Sequence, residues 1–475
     1  MRTIRLALLV FGVSISAASQ NSSQSQPDTT PAPAFGQNAP VLNPENPPVS
    51  GLDTPGLDLH TATRSFFSPA LQVSESGDSN GANQIGSTGA ESITRVLGAF
   101  DLQQFWPKSD LFLEYLGGGA FYSSPFDVQQ LQAVGLDAVT RWRTGQLTLR
   151  DAFNYLPDGS FQIGTVGGLP GFGLASGAGI GAQIGGLPGT FGSGQFGSVG
   201  NIPRLSNTAI LDAVQALNPV SAITMAVGFA NAHFYDSGCS GDGCLINSDQ
   251  LTVEGGYSHL LSRHDQIGVV YAFQLLQFPI ITGGQIYNDV LYLRWSHLIT
   301  GRLSLSVGVG PQYTELEEQG QYIKNWSVSG RFLLRYKIGR GSVMASYEKF
   351  TSPGSGFFAG ADTQVAQLGY RRPVGRTWDF YGDVDYSNNK RLQTPENPTV
   401  GVNTGSYNEG SAGFVLRKHL GRTYDFFVAY RFSDVSFATG ATFPTSLCPS
   451  GNCTTTERNA GAIGVEWHPT PTRIE

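Results

Sequence analysis

The feature that most constrains this chain is a period-two pattern of side chains that returns in long segments from residue 66 to the C-terminal region. In residues 303–310, LSLSVGVG, every odd position is a branched aliphatic and every even position is serine or glycine. Alternate side chains of a β-strand point to opposite faces, so this segment has one apolar face and one face of small side chains. The pattern predicts a strand with an apolar phase on one side and a confined interior on the other.

The same two-faced pattern recurs in eighteen segments. Most of them are longer than the 5–6 residues or so typical of globular strands, and they match the roughly 9–11 residues that a tilted strand needs to cross a bilayer. We predict strands at 66–75, 92–104, 110–122, 129–143, 147–156, 205–217, 221–235, 249–261, 266–277, 286–299, 302–316, 323–338, 342–351, 363–372, 377–388, 408–418, 423–437 and 457–467.

The connections between these segments alternate in length along the chain. Short turns such as 144–145 and 300–301 follow even-numbered segments, whereas mostly longer connections such as 157–204 and 389–407 follow odd-numbered ones. An up-and-down barrel has tight turns at one end and long loops at the other, but a soluble sandwich has no reason to sort loops in this way. The predicted fold is therefore all-β: a transmembrane up-and-down antiparallel β-barrel of about 18 strands, with 16 as the alternative count.

The composition of the chain agrees with a transmembrane β-barrel and limits the kinds of partner that the protein can have. Charged residues make up only 14% of the chain, and no apolar run long enough for a membrane-spanning helix occurs beyond the extreme N-terminus. The formal net charge of −7 argues against nucleic acid as a partner. Five tryptophans fall beside the short turns, where we predict an aromatic girdle at the membrane interface: Trp106, Trp142, Trp295, Trp378 and Trp467.

The N-terminal region predicts export. Residues 1–18 have two arginines, an apolar run and small residues at Ser16 and Ala18, which is typical of a secretory signal peptide. Residues 19–65 are rich in Pro, Ser and Gln and lack periodicity, which predicts a disordered periplasmic linker. The barrel is then expected over 66–475, in the cell outer membrane, with a Gly-rich external loop at 157–204.

The four cysteines form two pairs with the same C-x4-C spacing, Cys239 with Cys244 and Cys448 with Cys453. Both pairs lie in predicted loops of an exported protein, for which local disulfides are the expected state. A metal site would need nearby histidine, and none is adjacent to either pair, so we predict disulfides and no metal.

Two segments carry a resemblance to a known family. With SPALQVSESGDSN at 68–80 and the closing strand GAIGVEWHP at 461–469, the chain resembles porin-like outer-membrane β-barrel proteins of Gram-negative bacteria, of the acidobacterial type. The closing strand looks like a signal for the barrel-assembly machinery, although eight residues follow its aromatic. Some members of these groups are linked to exopolysaccharide export, which the resemblance implies as a second possibility.

The sequence shows no catalytic constellation, so we expect neither an enzyme nor a cofactor. His259 and Ser258 are adjacent and point to opposite faces, and the Gly-rich loop lacks the lysine and helix of a phosphate loop. Several charged residues fall on the predicted inner face as pore-lining candidates: Arg150, Glu254, Arg294, Arg331, Arg335, Lys337, Glu348, Asp379, Asp383, Asp385 and Arg431. Such residues can bias passage by charge or pair with each other to stiffen the wall, and the acids on the fifteenth strand and bases on the twelfth suggest a transverse field.

The function predicted from these features is passive or facilitated diffusion of small hydrophilic solutes through an outer-membrane porin-like channel. The alternative is a non-conducting accessory or export barrel linked to exopolysaccharide secretion, with its lumen plugged by loop 157–204. The expected partners are outer-membrane lipid, small hydrophilic solutes and the assembly machinery.

Overall fold

The computed structural model describes a closed antiparallel wall. The described residues are 65–80, 89–123, 126–156, 204–235, 245–279, 284–318, 321–354, 356–392, 405–438, 441, 448, 454–470 and 472–474. The predicted signal peptide lies outside these ranges, as do the predicted linker and Gly-rich loop except for their last residues, Ser65 and Arg204.

Eighteen long strands form the wall, and all eighteen correspond to predicted segments. Their bounds are β1 Phe66–Asp78, β2 Glu91–Phe105, β3 Ser109–Ser123, β4 Phe126–Trp142, β5 Gly145–Leu156, β6 Arg204–Asn218, β7 Ser221–Phe234, β8 Ser248–Leu260, β9 Asp265–Gln277, β10 Gln285–Thr300, β11 Leu303–Glu318, β12 Gln321–Ile338, β13 Gly341–Ser352, β14 Ala361–Val374, β15 Trp378–Arg391, β16 Ser406–Leu420, β17 Tyr424–Phe437 and β18 Thr455–Trp467. The eighteen-stranded count is confirmed over the sixteen-stranded alternative.

Each strand pairs antiparallel with its neighbour in sequence, and β1 closes the wall by pairing with both β2 and β18. Along the closing seam, Leu71 is opposite Trp467 and Asp78 is opposite Ala460. A two-residue strand, β19 (Thr472–Arg473), extends this seam by pairing with Phe66 and Phe67. The tail that follows the last aromatic therefore adds to the closure, which the sequence analysis does not anticipate.

The two faces of the wall have opposite character. On β1, Leu71 and Val73 point outward and are exposed, while Gln72 and Ser74 point inward and are buried. On β11, Val309 is exposed outward, as its place on the aliphatic face predicts. Exposed apolar side chains on the outer face suit contact with lipid tails, and a closed sheet leaves no unpaired edge in hydrocarbon.

No helix in the described ranges has the length and apolar character that a membrane-crossing helix requires.

The predicted girdle tryptophans lie at one end of the wall. They are placed beside or within a few residues of the short turns: Trp106 between β2 and β3, Trp142 at the end of β4, Trp295 near the end of β10, Trp378 at the start of β15 and Trp467 at the end of β18. Trp326, 71% exposed, lies toward the long-loop end. Their role at the interface stays a prediction.

Candidate functional site in the barrel interior

The described inner face is layered from the long-loop end to the short-turn end. Around β8 to β15, an apolar segment covers part of the mouth at the long-loop end, uncharged amide and hydroxyl side chains follow, and charged side chains lie deeper. On the seam side, the buried pair of Asp78 and Arg458 lies near the long-loop end itself. In barrels of this type the long loops face the outside of the cell, so we refer to that end as the outer mouth.

The segment between β13 and β14 folds into the outer mouth. We call its described residues, Pro353–Gly354 and Gly356–Gly360, the mouth strap. Phe357 and Phe358 are fully buried in an apolar cluster with Leu245, Tyr407 and other residues of the wall. Because β7 and β16 lie half a circumference apart, contacts of this cluster with Phe234 on β7 and with β16 join opposite walls.

Aromatic rings hold one side of the mouth strap. The ring of Phe357 lies edge-on to Tyr407 and Phe437, with centroid distances of 5.2 and 5.6 Å. The ring of Phe358 is 5.5 Å from that of Tyr407. Edge and tilted contacts of this kind add roughly 0.5–1.5 kcal/mol each to the burial of the rings.

Backbone hydrogen bonds hold the other side. The N–H of Ile246 donates to the carbonyl of Gly356 at 2.7 Å, and the N–H of Leu392 donates to the carbonyl of Gly360 at 3.3 Å. Gly356 has φ +82°, and a Cβ there would meet the ring of Phe234 at 2.7 Å. Only glycine combines this backbone conformation with so close an approach.

Beneath the mouth strap lies a belt of buried, uncharged polar side chains, which we call the amide collar. Its members are Gln250, Thr252, Gln274, Asn288, Gln312, Thr314, Thr351, Ser352, Thr363, Ser387 and Asn389. Asn288 donates to the Gln274 side chain at 3.0 Å and accepts from Thr314 at 3.1 Å, and the Gln274 amide reaches the Thr351 carbonyl at 3.5 Å. The collar thereby ties β9 to β13, at the foot of the mouth strap.

Most of the predicted pore-lining charges are paired across strands. Arg431 binds Asp383 at 3.0 Å and Asp385 at 3.1 Å, and Arg331 binds Glu348 at 3.0 Å. Arg431 of β17 therefore pairs with two acids of β15, and Arg331 of β12 pairs with an acid of β13. The pairing supports the alternative of a stiffened wall, and the transverse field stays a prediction.

The other predicted charges occupy separate places on the wall. Arg150 on β5 pairs with Asp212 at 3.0 Å, and Asp379 on β15 pairs with His419 at 3.0 Å. Lys337 is exposed near a short turn. The backbone of Arg335 belongs to β12, and its side chain lies outside the described atoms.

Glu254 and Arg294 are both buried on the inner face, on β8 and β10. The guanidinium of Arg294 lies over the ring of Tyr292, 5.2 Å from its centroid.

A group of charged residues near the short-turn end was not predicted from the sequence, apart from its member Asp379. We call it the basal cluster: Asp379, Arg417, His419, Asp425, Glu466 and His468. Arg417 binds Asp425 at 3.3 Å and Glu466 at 3.2 Å, and Asp425 also accepts from His419 at 2.7 Å. The cluster links β15 to β18 next to the closing seam, where Glu466 lies opposite Gln72 of β1.

The mouth strap was also missed, because loop 157–204 was the one connection considered from sequence as a possible lumen plug. The available signal was the adjacent pair Phe357–Phe358 between glycines in a connection that is otherwise small and polar. Whether loop 157–204 enters the lumen lies outside the described residues.

Of the predicted disulfide cysteines, only Cys448 is among the described residues. It is disulfide-bonded and fully buried in the apolar cluster of the mouth strap. Cys239, Cys244 and Cys453 lie outside the described ranges, so the two local pairings stay predictions. In the part of the chain that is described, no set of three or more His, Cys, Asp or Glu side chains is arranged to hold a metal ion.

No family model matches the chain, and no curated protein matches it. Solved structures with a similar fold include Pseudomonas aeruginosa OpdQ, at 10% identity and TM-score 0.40, covering 86% of this chain and 100% of that one. Acinetobacter baumannii OccAB3 has 13% identity and TM-score 0.40, covering 85% and 99%. The FrpB iron transporter from Neisseria meningitidis has 10% identity and TM-score 0.41, covering 87% and 83%.

At these identities and TM-scores the likeness does not extend to solute, residue role or mechanism. The architecture of the chain itself is definite: a closed eighteen-stranded wall, apolar outside and polar inside. Such a wall is stable in a bilayer because every backbone group within it has a partner and its outer face is apolar. The chain therefore folds as a closed eighteen-stranded antiparallel β-barrel whose exposed apolar outer face suits a bilayer.

Proposed function

We propose that this protein is a channel for passive or facilitated diffusion of small hydrophilic solutes across the outer membrane, without enzymatic activity. The observation that carries the proposal is the contrast between the two faces of the wall, with many polar and charged side chains buried on the inside and most exposed large apolar side chains on the outside. A barrel of sixteen to eighteen or so strands is wide enough for an aqueous path, and polar side chains on its inner face replace part of a solute's hydration.

In this proposal the mouth strap sets access. Its apolar contacts close part of the outer mouth, and the amide collar beneath it offers uncharged hydrogen-bonding partners to a solute that passes. Paired charges on the wall weaken the net attraction for either sign of ion, because the guanidinium groups of Arg331 and Arg431 already face carboxylates. Selection then depends on size and hydrogen bonding more than on net charge.

The test is ion conductance of the purified full-length protein in planar lipid bilayers, beside the double variant Phe357→Ala/Phe358→Ala. We expect discrete openings in the wild type and a larger or more frequent conductance in the variant, since the mouth strap loses its aromatic anchors. Absence of conductance above background in both proteins, each shown to be folded by heat-modified migration on gels, would contradict a channel.

The second candidate is a non-conducting accessory or export barrel. The buried mouth strap favours it, because an apolar seal at the outer mouth would also serve a barrel that does not pass small solutes. The two candidates separate in the same recordings: a silent wild type with a conducting double variant supports the closed barrel, while a conducting wild type supports the channel.

A further inference from the structure

Glu254 differs from the other inward acids of the wall. It is 2% exposed, and among the described residues neither of its carboxylate oxygens has a hydrogen-bond partner. Strand register explains this. Glu254 lies opposite Ala226 on β7 and Ala272 on β9, and Gly256 is the next residue of β8 on the same face. None of these neighbours has a side chain that can donate.

The nearest polar side chains toward the outer mouth are engaged elsewhere. The amide of Gln250 donates to Thr252 at 3.1 Å, and the amide of Gln274 donates to the carbonyl of Thr351 at 3.5 Å. A buried carboxylate without hydrogen-bond donors is unfavourable, because it has lost its hydration without a replacement. A frame of alanine and glycine around such a carboxylate leaves room for a donor that comes from outside the wall.

The charges around Glu254 define which donor suits it. Arg294 on β10 and Arg331 on β12 both lie opposite Gly308 of β11. The two guanidinium groups therefore flank a position without a side chain, on the same inner wall as Glu254 and within range of its charge. Arg331 is itself bound to Glu348 at 3.0 Å, so two acids and two bases share this part of the wall. A cation alone would be attracted by Glu254 and repelled by the guanidinium groups. An anion would be attracted by the guanidinium groups and repelled by Glu254. A neutral solute with separated positive and negative groups meets only attraction when it is correctly oriented.

We propose that Glu254, Arg294, Arg331 and Glu348 form a mixed-charge subsite for small zwitterionic solutes of the amino-acid class. The solute's ammonium donates to Glu254, and its carboxylate faces the guanidinium groups. This inference rests on the proposed channel function and names the solute class that the channel would favour.

The test compares L-alanine with lactamide, which has the same number of heavy atoms and no formal charges. Each is added to a conducting wild-type channel in a planar bilayer, and block of the ion current is measured against concentration. We expect L-alanine to block at lower concentration than lactamide. In Glu254→Gln the concentration of L-alanine for half-block should rise about tenfold, because a charge-assisted hydrogen bond is lost.

Glu409→Gln is the matched control. Glu409 is also an inward, buried glutamate, but it lies on β16, away from the mixed-charge subsite. Its substitution should leave the half-block concentration of L-alanine unchanged. If Glu254→Gln does not fold, Glu254→Asp keeps the charge with a shorter reach and should show a smaller loss.

Three results would overturn the inference. A conducting wild type that L-alanine does not block removes the subsite and leaves the channel function intact. Equal block by lactamide, weakened equally in Glu254→Gln, would assign the site to uncharged donors instead of zwitterions. If no conductance is found, binding of L-alanine is measured by titration calorimetry with the folded, detergent-solubilised protein. Absence of binding that is stronger in the wild type than in Glu254→Gln would reject the subsite independently of transport.

Discussion

The mouth strap and the basal cluster, at opposite ends of the barrel interior, are held in place by different chemistry. At the outer mouth, the mouth strap is fixed by the rings of Phe357 and Phe358 and by a few backbone hydrogen bonds. At the short-turn end, the basal cluster joins neighbouring strands through buried charge pairs such as Arg417–Asp425. Apolar contacts can be released as a unit, because they are non-directional and belong to one connection between strands.

The basal cluster is different because its members depend on each other. A buried charge that loses its partner is left uncompensated, so the cluster has no low-energy open state. We therefore expect changes at the outer mouth to alter access and changes at the short-turn end to alter the stability of the whole wall.

The largest expected effect is Asp425→Ala. Asp425 is 1% exposed and accepts from both Arg417 and His419. Its removal leaves buried Arg417 with less compensation and should lower the free energy of unfolding by about 3–5 kcal/mol. The measurement is denaturant unfolding in phospholipid vesicles. Asp379→Ala, whose side chain is partly exposed, is the control and should cost less; equal costs would contradict a special role for the buried pairs.

The next effect is Phe358→Ala at the outer mouth. Loss of a fully buried ring should weaken the closed position of the mouth strap by about 3 kcal/mol, which corresponds to roughly a hundredfold in the ratio of closed to open channels. Single-channel open probability measures this change. The free energy of global unfolding should change much less than in Asp425→Ala, and a comparable loss would show that the strap belongs to the core of the wall.

Substitution of one glycine at each end of the barrel allows the two ends to be compared directly. Gly356 in the mouth strap and Gly421 in the turn between β16 and β17 have similar positive φ values, +82° and +85°. An added Cβ at Gly421 meets nothing within 4 Å, whereas one at Gly356 meets the ring of Phe234. Gly421→Ala should cost about 1 kcal/mol from backbone strain alone, without altering conductance.

Gly356→Ala should cost more than Gly421→Ala and should also increase conductance, because the strap must move away from Phe234. Paired unfolding and bilayer measurements check both variants. Unchanged conductance in Gly356→Ala would separate the strap from access to the lumen.

The smallest expected effect is Lys418→Met at the short-turn rim. The Lys418 ammonium lies 5.2 Å from the ring centroid of Trp378, a cation–π contact at a partly exposed site. Its loss should lower the free energy of unfolding by about 0.5–1 kcal/mol. A loss as large as that of Asp425→Ala would show that this rim depends on its surface contacts as much as on its buried pairs.

The strands could be predicted because each carries its own signal. Long alternating segments such as 303–310 have an aliphatic face whose exposure to water is unfavourable. Turn residues between these segments determine where each strand ends. The outward and inward faces follow from the same alternation, so Asp383, Asp385 and Arg431 could be assigned to the inner face from sequence.

Their pairing could not be predicted in this way. Arg431 reaches Asp383 across β16, and that contact depends on the register of three strands. A shift by two residues would preserve every apolar face and change every ion pair, so the alternation alone contains no information about partners.

The sequence by itself determined the class of wall, its strand count and which face of each strand meets lipid, because these follow from local alternation and from the need of backbone groups for partners in hydrocarbon. The contacts in the barrel interior depend on the tertiary structure. The mouth strap, the amide collar and the basal cluster bring together residues that are distant in sequence, and the closure of the wall determines which of them meet.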